Sequence, residues 1–219
     1  MLRQGIDFFD VDHTLLRGSS PRHYIVLGVR LGLFPRKNLL KIPVFYLRYR
    51  FTEMSSQKTF QKDFPGLAGT ERSYLEEVAR ICFEKKLRDD VYQEARELIS
   101  GLKAAGRSVI LATSSIDIIV QPLAEWLGTG LIASSLEFVN GLSTGRFLDG
   151  PVFRDKKRIK VLEHIRRAGF KPQQCSFYSD SVHDLPLLEA VGHPVATNPD
   201  GRLRKEARAR GWEIRVFRR

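Results

Sequence analysis

The sequence predicts an α/β fold: a parallel β-sheet covered by helices on both faces, with an α-helical cap inserted after the first strand. Three observations predict it. A short apolar run, Gly5–Val11, opens the chain and ends in carboxylates. Residues from about 21 to 87 then show helical spacing and no strand pattern. From Val91 onward, apolar β-branched runs alternate with helix-length stretches, the rhythm of βαβ units.

Gly5–Val11 is short and apolar enough for a buried strand. Tyr24–Phe34 is an apolar helical stretch broken by Pro35, and Leu39–Tyr49 is another, interrupted by Pro43. Leu75, Val78, Ala79, Ile81 and Cys82 fall near helical spacing. Val91–Ala105 reads as a helix stopped at Gly106, and Ser108–Thr113 as a strand. Ile116–Leu127 is a helix ending at Gly128, Leu131–Ala133 a short strand, and Asn140-Gly141 marks a hairpin within Glu137–Val152. Arg158–Ala168 is a helix, Cys175–Ser179 a strand followed by a helix through Ala190, and Pro194–Ala196 and Glu213–Phe217 close the sheet. The expected division is a Rossmann-like core of residues 1–16 and 88–219 and a helical cap of residues 17–87.

The 219 residues suffice for one substantial core and a smaller unit. No run reaches the roughly 18 uninterrupted apolar residues of a membrane span; the longest candidates are broken by Arg30, Lys41, Arg48 and Arg50. Met1–Gln4 leads directly into the first strand without a signal-peptide pattern. The two cysteines, Cys82 and Cys175, form no CxxC pair, so a disulfide scaffold or structural zinc is not expected and a reducing cytoplasm is. The net charge of +11 favours anionic partners. It is concentrated: between Asp12 and Glu53 there is no acidic residue, while Arg17, Arg22, Arg30, Arg36, Lys37, Lys41, Arg48 and Arg50 all fall there. A solvated basic face explains that run, and so does peripheral contact with an anionic membrane.

The chemistry concentrates in Phe8-Phe9-Asp10-Val11-Asp12-His13-Thr14-Leu15-Leu16. Residues two apart on a strand point the same way, so Asp10 and Asp12 are expected side by side at the carboxyl end, where open parallel sheets bind ligands. Such a pair repels unless a cation or a shared proton relieves it. A hard cation such as Mg²⁺ commonly joins one or two carboxylates to a substrate phosphate. A calcium loop is excluded, because its sixth and twelfth places hold Leu15 and Pro21 rather than Gly and Glu. A second acidic cluster, Ser179-Asp180-Ser181-Val182-His183-Asp184, follows another apolar strand. Alone it reads equally as the start of a helix, with Asp184 near the positive end. The phosphate-loop look-alike Gly101–Ser108 is rejected, because a helix ends there and a strand begins.

These clusters resemble the haloacid dehalogenase-like hydrolase superfamily, and within it the phosphoserine-phosphatase-like group, subfamily IB. The D-x-D-x-T-L run is similar to its first motif and Val109–Ser114 to its second. A lysine supplies the third and Asp180 with Asp184 the fourth. The narrower likeness rests on Asp184–Leu188, Gly192–Ala196, Asn198–Asp200 and Arg210-Gly211-Trp212.

The resemblance implies that Asp10 attacks phosphorus, forming an aspartyl-phosphate. Asp12 protonates the leaving oxygen and then activates water. Mg²⁺ is held by Asp10, the main-chain carbonyl of Asp12, and Asp180. Asp184 binds metal waters or orients the lysine, and Thr113 with Ser114 binds the phosphoryl group. The lysine has three candidates, Lys156, Lys157 and Lys160; spacing favours Lys157. His13, Ser179, His183 and Ser19 depart from the usual pattern, and the last two weigh against phosphoserine as substrate. His13 and His183 are candidates to meet near the entrance; His23, His164 and His193 have no ligand spacing.

The expected activity is thus Mg²⁺-dependent hydrolysis of a phosphomonoester on a small metabolite or lipid-like molecule. Phosphoserine phosphatase is one alternative. A basic nucleic-acid- or membrane-binding protein with an inactive core is another, and nucleic acid is the weaker of those partners.

Overall fold

A computed structural model of the chain describes residues 5–34 and 67–218. The expected second cap stretch, Leu39–Tyr49, lies outside the described residues, as do Arg36, Lys37, Lys41, Arg48 and Arg50.

Six strands form one sheet: β1 (Ile6–Phe9), β2 (Ser108–Ile116), β3 (Gly130–Ser134), β6 (Ser176–Ser179), β7 (His193–Thr197) and β8 (Glu213–Arg215). Their order is β3-β2-β1-β6-β7-β8, and every neighbouring pair is parallel. β4 (Leu136–Val139) and β5 (Leu142–Phe147) make the separate antiparallel hairpin expected at Asn140-Gly141. The sheet is the Rossmann-like core expected from the alternating pattern.

The helices are α1 (Ser20–Arg30), α2 (Arg72–Cys82), α3 (Gln93–Ala104), α4 (Asp117–Leu127), α5 (Asp155–Arg167), α6 (Leu185–Leu188) and α7 (Gly201–Arg210). Beyond α2 the chain winds through a π-turn at Phe83–Leu87. One face of the sheet presents Ile6, Phe8, Ile110, Ala112 and Phe177 to Val161 and Ile165 of α5, Leu187 and Leu188 of α6 and Leu203 and Ala207 of α7. The other presents Phe9, Val109, Leu111 and Tyr178 to a core that includes α3 and α4. Covering on both faces is why all four residues of β1 are buried, Asp7 included. α4 is buried nearly all round, because the sheet lies on one side and α1 and α2 on the other. The buried face of α2 is Leu75, Val78, Ala79 and Cys82, the spacing of one helical stripe. Each such large apolar side chain contributes about 1.5–3 kcal/mol when removed from water.

Several boundaries differ from the sequence reading. β2 runs to Ile116 rather than Thr113, so Thr113, Ser114 and Ser115 are strand residues. α5 starts at Asp155, three residues earlier than expected, which brings Lys157 into its first turn. The last long helix expected before β7 is only Leu185–Leu188, preceded by a 3₁₀ turn at Val182–Asp184. Ser181 caps that turn by accepting from His183 N–H at 3.2 Å, so Asp180 stands before the turn rather than on its face.

Sheet order places the site. β1 is followed in sequence by β2 on one side, and the chain later crosses to β6 on the other, so the carboxyl end of β1 is the topological switch point. Phe9 pairs with Leu111 on β2 and Tyr178 on β6, which sets Asp10 between those two strands, near the end of β6.

Candidate active site

Alternation along β1 decides which way Asp10 faces. Ile6 and Phe8 point to the layer holding α5, and Asp10 continues that parity. Its N–H donates to Tyr178 O at 2.9 Å, holding it in the sheet. Lys157 reaches in from the first turn of α5, and its Nζ donates to Asp10 Oδ1 and to Asp184 Oδ2, both at 2.9 Å. Lys157 is only 2 % exposed. The other two candidate lysines are half-buried and pair with Asp149, at 3.5 Å for Lys156 and 3.3 Å for Lys160. Asp184 Oδ2 also accepts from Ser179 Oγ at 2.7 Å. The serine found where the family pattern commonly has glycine therefore helps to fix Asp184.

Asp180 is held through Thr14. The Asp180 N–H donates to Thr14 Oγ1 at 2.9 Å, and that hydroxyl donates to Asp180 Oδ1 at 3.2 Å. The loop carrying Thr14 is tight: the N–H groups of Leu15 and Leu16 both donate to Val11 O. It requires a left-handed residue at His13, φ +59°, where glycine is least strained. Asn198 Nδ2 buttresses the loop from below by donating to Thr14 O at 3.3 Å.

Asp12 turns toward α1 instead. Its Oδ1 accepts from Ser20 N–H at 2.5 Å, and the Ser20 and Ser115 side chains favour its charged form. Thr113 is buried at 1 % exposure, and its Oγ1 accepts from Ser115 N–H at 3.1 Å, which leaves its hydroxyl proton to donate elsewhere. Ser114 is half-buried, with its carbonyl held by Ser134 Oγ at 3.0 Å. His183 packs its ring against Phe153 at 5.5 Å. His23 faces Asp90 at 3.4 Å, and His164 sets its ring edge-on to Phe8.

The electrostatics follow from burial. Removal from water raises Asp10 to about 7; Lys157 opposes the rise, and Asp184 and Asp12 add to it. Burial also raises Asp12, against the opposing effects of the Ser20 N–H bond and of His13. It raises Asp180 well above the carboxylate range, with Asp10 and Asp184 reinforcing it. Burial works against the Lys157 charge, but attraction by Asp10 and Asp184 outweighs it, so the ammonium persists. Among the described residues Lys157 thus pairs with Asp10 and Asp184, and Asp10, Asp12 and Asp180 all resist ionisation.

That imbalance suits a divalent cation. No three His, Cys, Asp or Glu side chains among the described residues form a ligand group by themselves. Asp184 is committed to Lys157 and Ser179.

Ser20, Ser115 and Thr14 were not assigned roles from sequence. Thr14 lay inside the first motif. Ser115 was the third residue of Thr113-Ser114-Ser115, but its partner is 95 positions away, beyond any local signal.

A carboxylate cluster with one buried lysine, at the switch point of a Rossmann-like sheet, defines a hydrolase that works on phosphoryl or related groups. The family model of haloacid dehalogenase-like hydrolases matches residues 8–189. The chain belongs to that family, among its phosphatases. It is 32% identical to phosphoserine phosphatase SerB1 of Mycobacterium tuberculosis, over 96% of this chain and 70% of that protein. It is 27% identical to a histidinol-phosphatase of Neisseria meningitidis, over 98% of this chain and 100% of that one. A crystal structure of a protein of unknown function from Bordetella pertussis superposes with a TM-score of 0.87 at 30% identity, covering 97% of this chain and 98% of the other.

Proposed function

We propose that the chain is a Mg²⁺-dependent phosphomonoesterase with Asp10 as nucleophile and Asp12 as acid and base. The observation that carries the reading is the pairing of Lys157 with Asp10 at the end of β1. In the first step an Asp10 carboxylate oxygen attacks phosphorus, the bond to the leaving oxygen breaks, and Asp12 gives that oxygen its proton. In the second, Asp12 takes a proton from water as it attacks the aspartyl-phosphate, releasing inorganic phosphate and restoring Asp10. Lys157 offsets charge on the transferring group, and Thr113 and Ser114 hold its oxygens. Mg²⁺, held by Asp10, the Asp12 carbonyl and Asp180, supplies charge neutralisation when bound. Asp184 orients Lys157. The raised position of Asp12 suits a group that must carry a proton at neutral pH.

Residues 17–87 act as the cap in this reading. The outgoing and returning segments are stitched together at the boundary. Leu16 bridges Val91, Arg17 N–H donates to Asp90 O at 2.9 Å, and Gly18 N–H donates to Asp90 Oδ2 at 2.8 Å.

The substrate is a small-metabolite or lipid-like phosphate. Support for the metabolite comes from the relatives named phosphoserine phosphatase and histidinol-phosphatase. The second of these matches along its whole length, which favours histidinol phosphate as a second reading. Peripheral attachment at the inner membrane face is supported only by the basic stretch of residues 36–50. No helix among the described residues is long and apolar enough to cross a membrane.

A panel of p-nitrophenyl phosphate, phosphoserine, histidinol phosphate and lysophosphatidate, with and without Mg²⁺, tests the function. Turnover that requires Mg²⁺ and is abolished by Asp10→Asn is expected. Unchanged turnover in Asp10→Asn sinks the mechanism. Vesicle co-sedimentation tests the membrane arm.

A further inference from the structure

Helix α1 begins on a residue that touches the chemistry. Ser20, its first residue, is fully buried, and its N–H donates to Asp12. Ser20 Oγ lies 2.8 Å from Ser115 Oγ near the end of β2, itself only 4 % exposed. Of the two hydroxyl protons, one closes this bridge and the other is available to a neighbouring acceptor. Ser115 N–H in turn donates to Thr113 Oγ1. A continuous chain of bonds therefore runs from Thr113 through Ser115 and Ser20 to Asp12. It crosses from the core to the first turn of the helix that follows the Gly18–Asp90 junction. Two buried hydroxyls satisfying one another would explain packing alone. The bond from the adjoining Ser20 N–H to the Asp12 carboxylate is what packing does not require.

We propose that Ser20 and Ser115 are positioning residues: their hydroxyl bridge holds the Ser20 N–H on Asp12, which fixes the orientation of that carboxylate and makes it depend on the seating of α1 against the core. An aspartate without this bond rotates broadly about χ2. A proton donor must stand within hydrogen-bond reach of the leaving oxygen, and small misplacements are costly. Seating of the cap helix and readiness of the acid are thereby one event. The inference rests on the assignment of Asp12 as acid and base made above.

The test exploits the leaving group. Nitrophenolate departs with little help from an acid, whereas an alkoxide needs the proton. The value of kcat/KM, which reports the first chemical step, is measured for p-nitrophenyl phosphate and for 2-glycerol phosphate. Ser20→Ala, Ser115→Ala and Ser115→Cys are each expected to lose about tenfold more on the glycerol ester than on the nitrophenyl ester. The double variant Ser20→Ala/Ser115→Ala is expected to be little worse than either single one, because the two hydroxyls act as a pair. Cysteine keeps the volume and weakens the donor, so it decides the case if the alanine variant does not fold. Equal losses on both esters, or fully additive losses, overturn the proposal. Asp12→Asn separates the two levels. If it shows no selective loss, the acid/base assignment itself fails. If it shows the selective loss and the serine variants do not, only the positioning role fails.

Discussion

Asp10→Asn should make the metal-free protein more stable while destroying its activity. The folded-state value of Asp10 is raised from 3.8 to about 7, chiefly by burial. Between those values the folded state keeps a proton that the unfolded chain has released. Stability is therefore lost as pH rises through roughly 4 to 7, the reverse of a salt-bridged carboxylate. A displacement of that size corresponds to an upper bound on the order of 4 kcal/mol. Asparagine imitates the neutral acid and removes the penalty. In EDTA, urea unfolding followed by circular dichroism at pH 5 and pH 8 should show the wild type losing more stability than the variant across the interval. The variant's advantage should be largest at pH 8, where it should reach about 1–4 kcal/mol. Contributions from other titrating groups, such as Asp90, whose value is lowered, largely cancel in the difference. Added Mg²⁺ should stabilise the wild type and reverse the ranking at pH 8. A variant less stable than the wild type at pH 8 in EDTA, or an unchanged pH slope, would refute the account of an undercompensated carboxylate cluster.

Lys157→Met removes the ammonium that pairs with Asp10 and Asp184. It should cost about 3–5 kcal/mol in urea unfolding at pH 8 and at least about 100-fold in kcat. Thr14→Val deletes both bonds to Asp180. The Mg²⁺ concentration giving half-maximal activity should rise about 10–100-fold, with substrate KM at saturating metal nearly unchanged. Arg107→Met strands Asp7, 1 % exposed at the opposite end of β1, without its partner. The expected result is about 3–5 kcal/mol less stability, with kcat at a permissive temperature close to wild type.

The sequence carried the site because its chemistry is periodic. Strand alternation set Asp10 on one side of β1, and the parallel order of strands set the second and fourth motifs beside it. Among the three lysines, the start of α5 at Asp155 determines which one points inward, and helix starts are poorly marked when the first turn is as basic as Lys156-Lys157-Arg158. The extension of β2 to Ile116 was hidden for a related reason: Thr113-Ser114-Ser115 resembles a loop, yet it continues the strand, where the Thr113 hydroxyl accepts from Ser115 N–H, the Ser115 hydroxyl pairs with that of Ser20, and the Ser114 carbonyl accepts from Ser134 Oγ. Ser20 was invisible because its role exists only once α1 docks on β2. His13 was legible as a departure from the usual small residue, and the left-handed backbone at that position supplies the reason for the usual glycine.

The same charge count governs the order in which ligands arrive. Among the described residues, Asp10, Asp12, Asp180 and Asp184 outnumber the buried cation Lys157. A phosphate dianion approaching the ionised metal-free cluster meets net repulsion in a buried site, where screening is weak. Protonating the carboxylates relieves it at low pH, and a divalent cation relieves it at neutral pH. Phosphate affinity and Mg²⁺ affinity should therefore be mutually reinforcing, since each ligand lowers the charge cost of the other. Calorimetric titration of Asp10→Ala, Asp10→Asn and wild type with inorganic phosphate checks this directly. In the wild type at pH 8, binding should be undetectable in EDTA and appear with Mg²⁺. In Asp10→Asn, which carries one negative charge fewer, the gap between the two conditions should narrow. Equal phosphate binding by the wild type with and without Mg²⁺ would mean that Lys157 and the Thr113 hydroxyl suffice to hold the anion, and that the four carboxylates are not the barrier their burial implies.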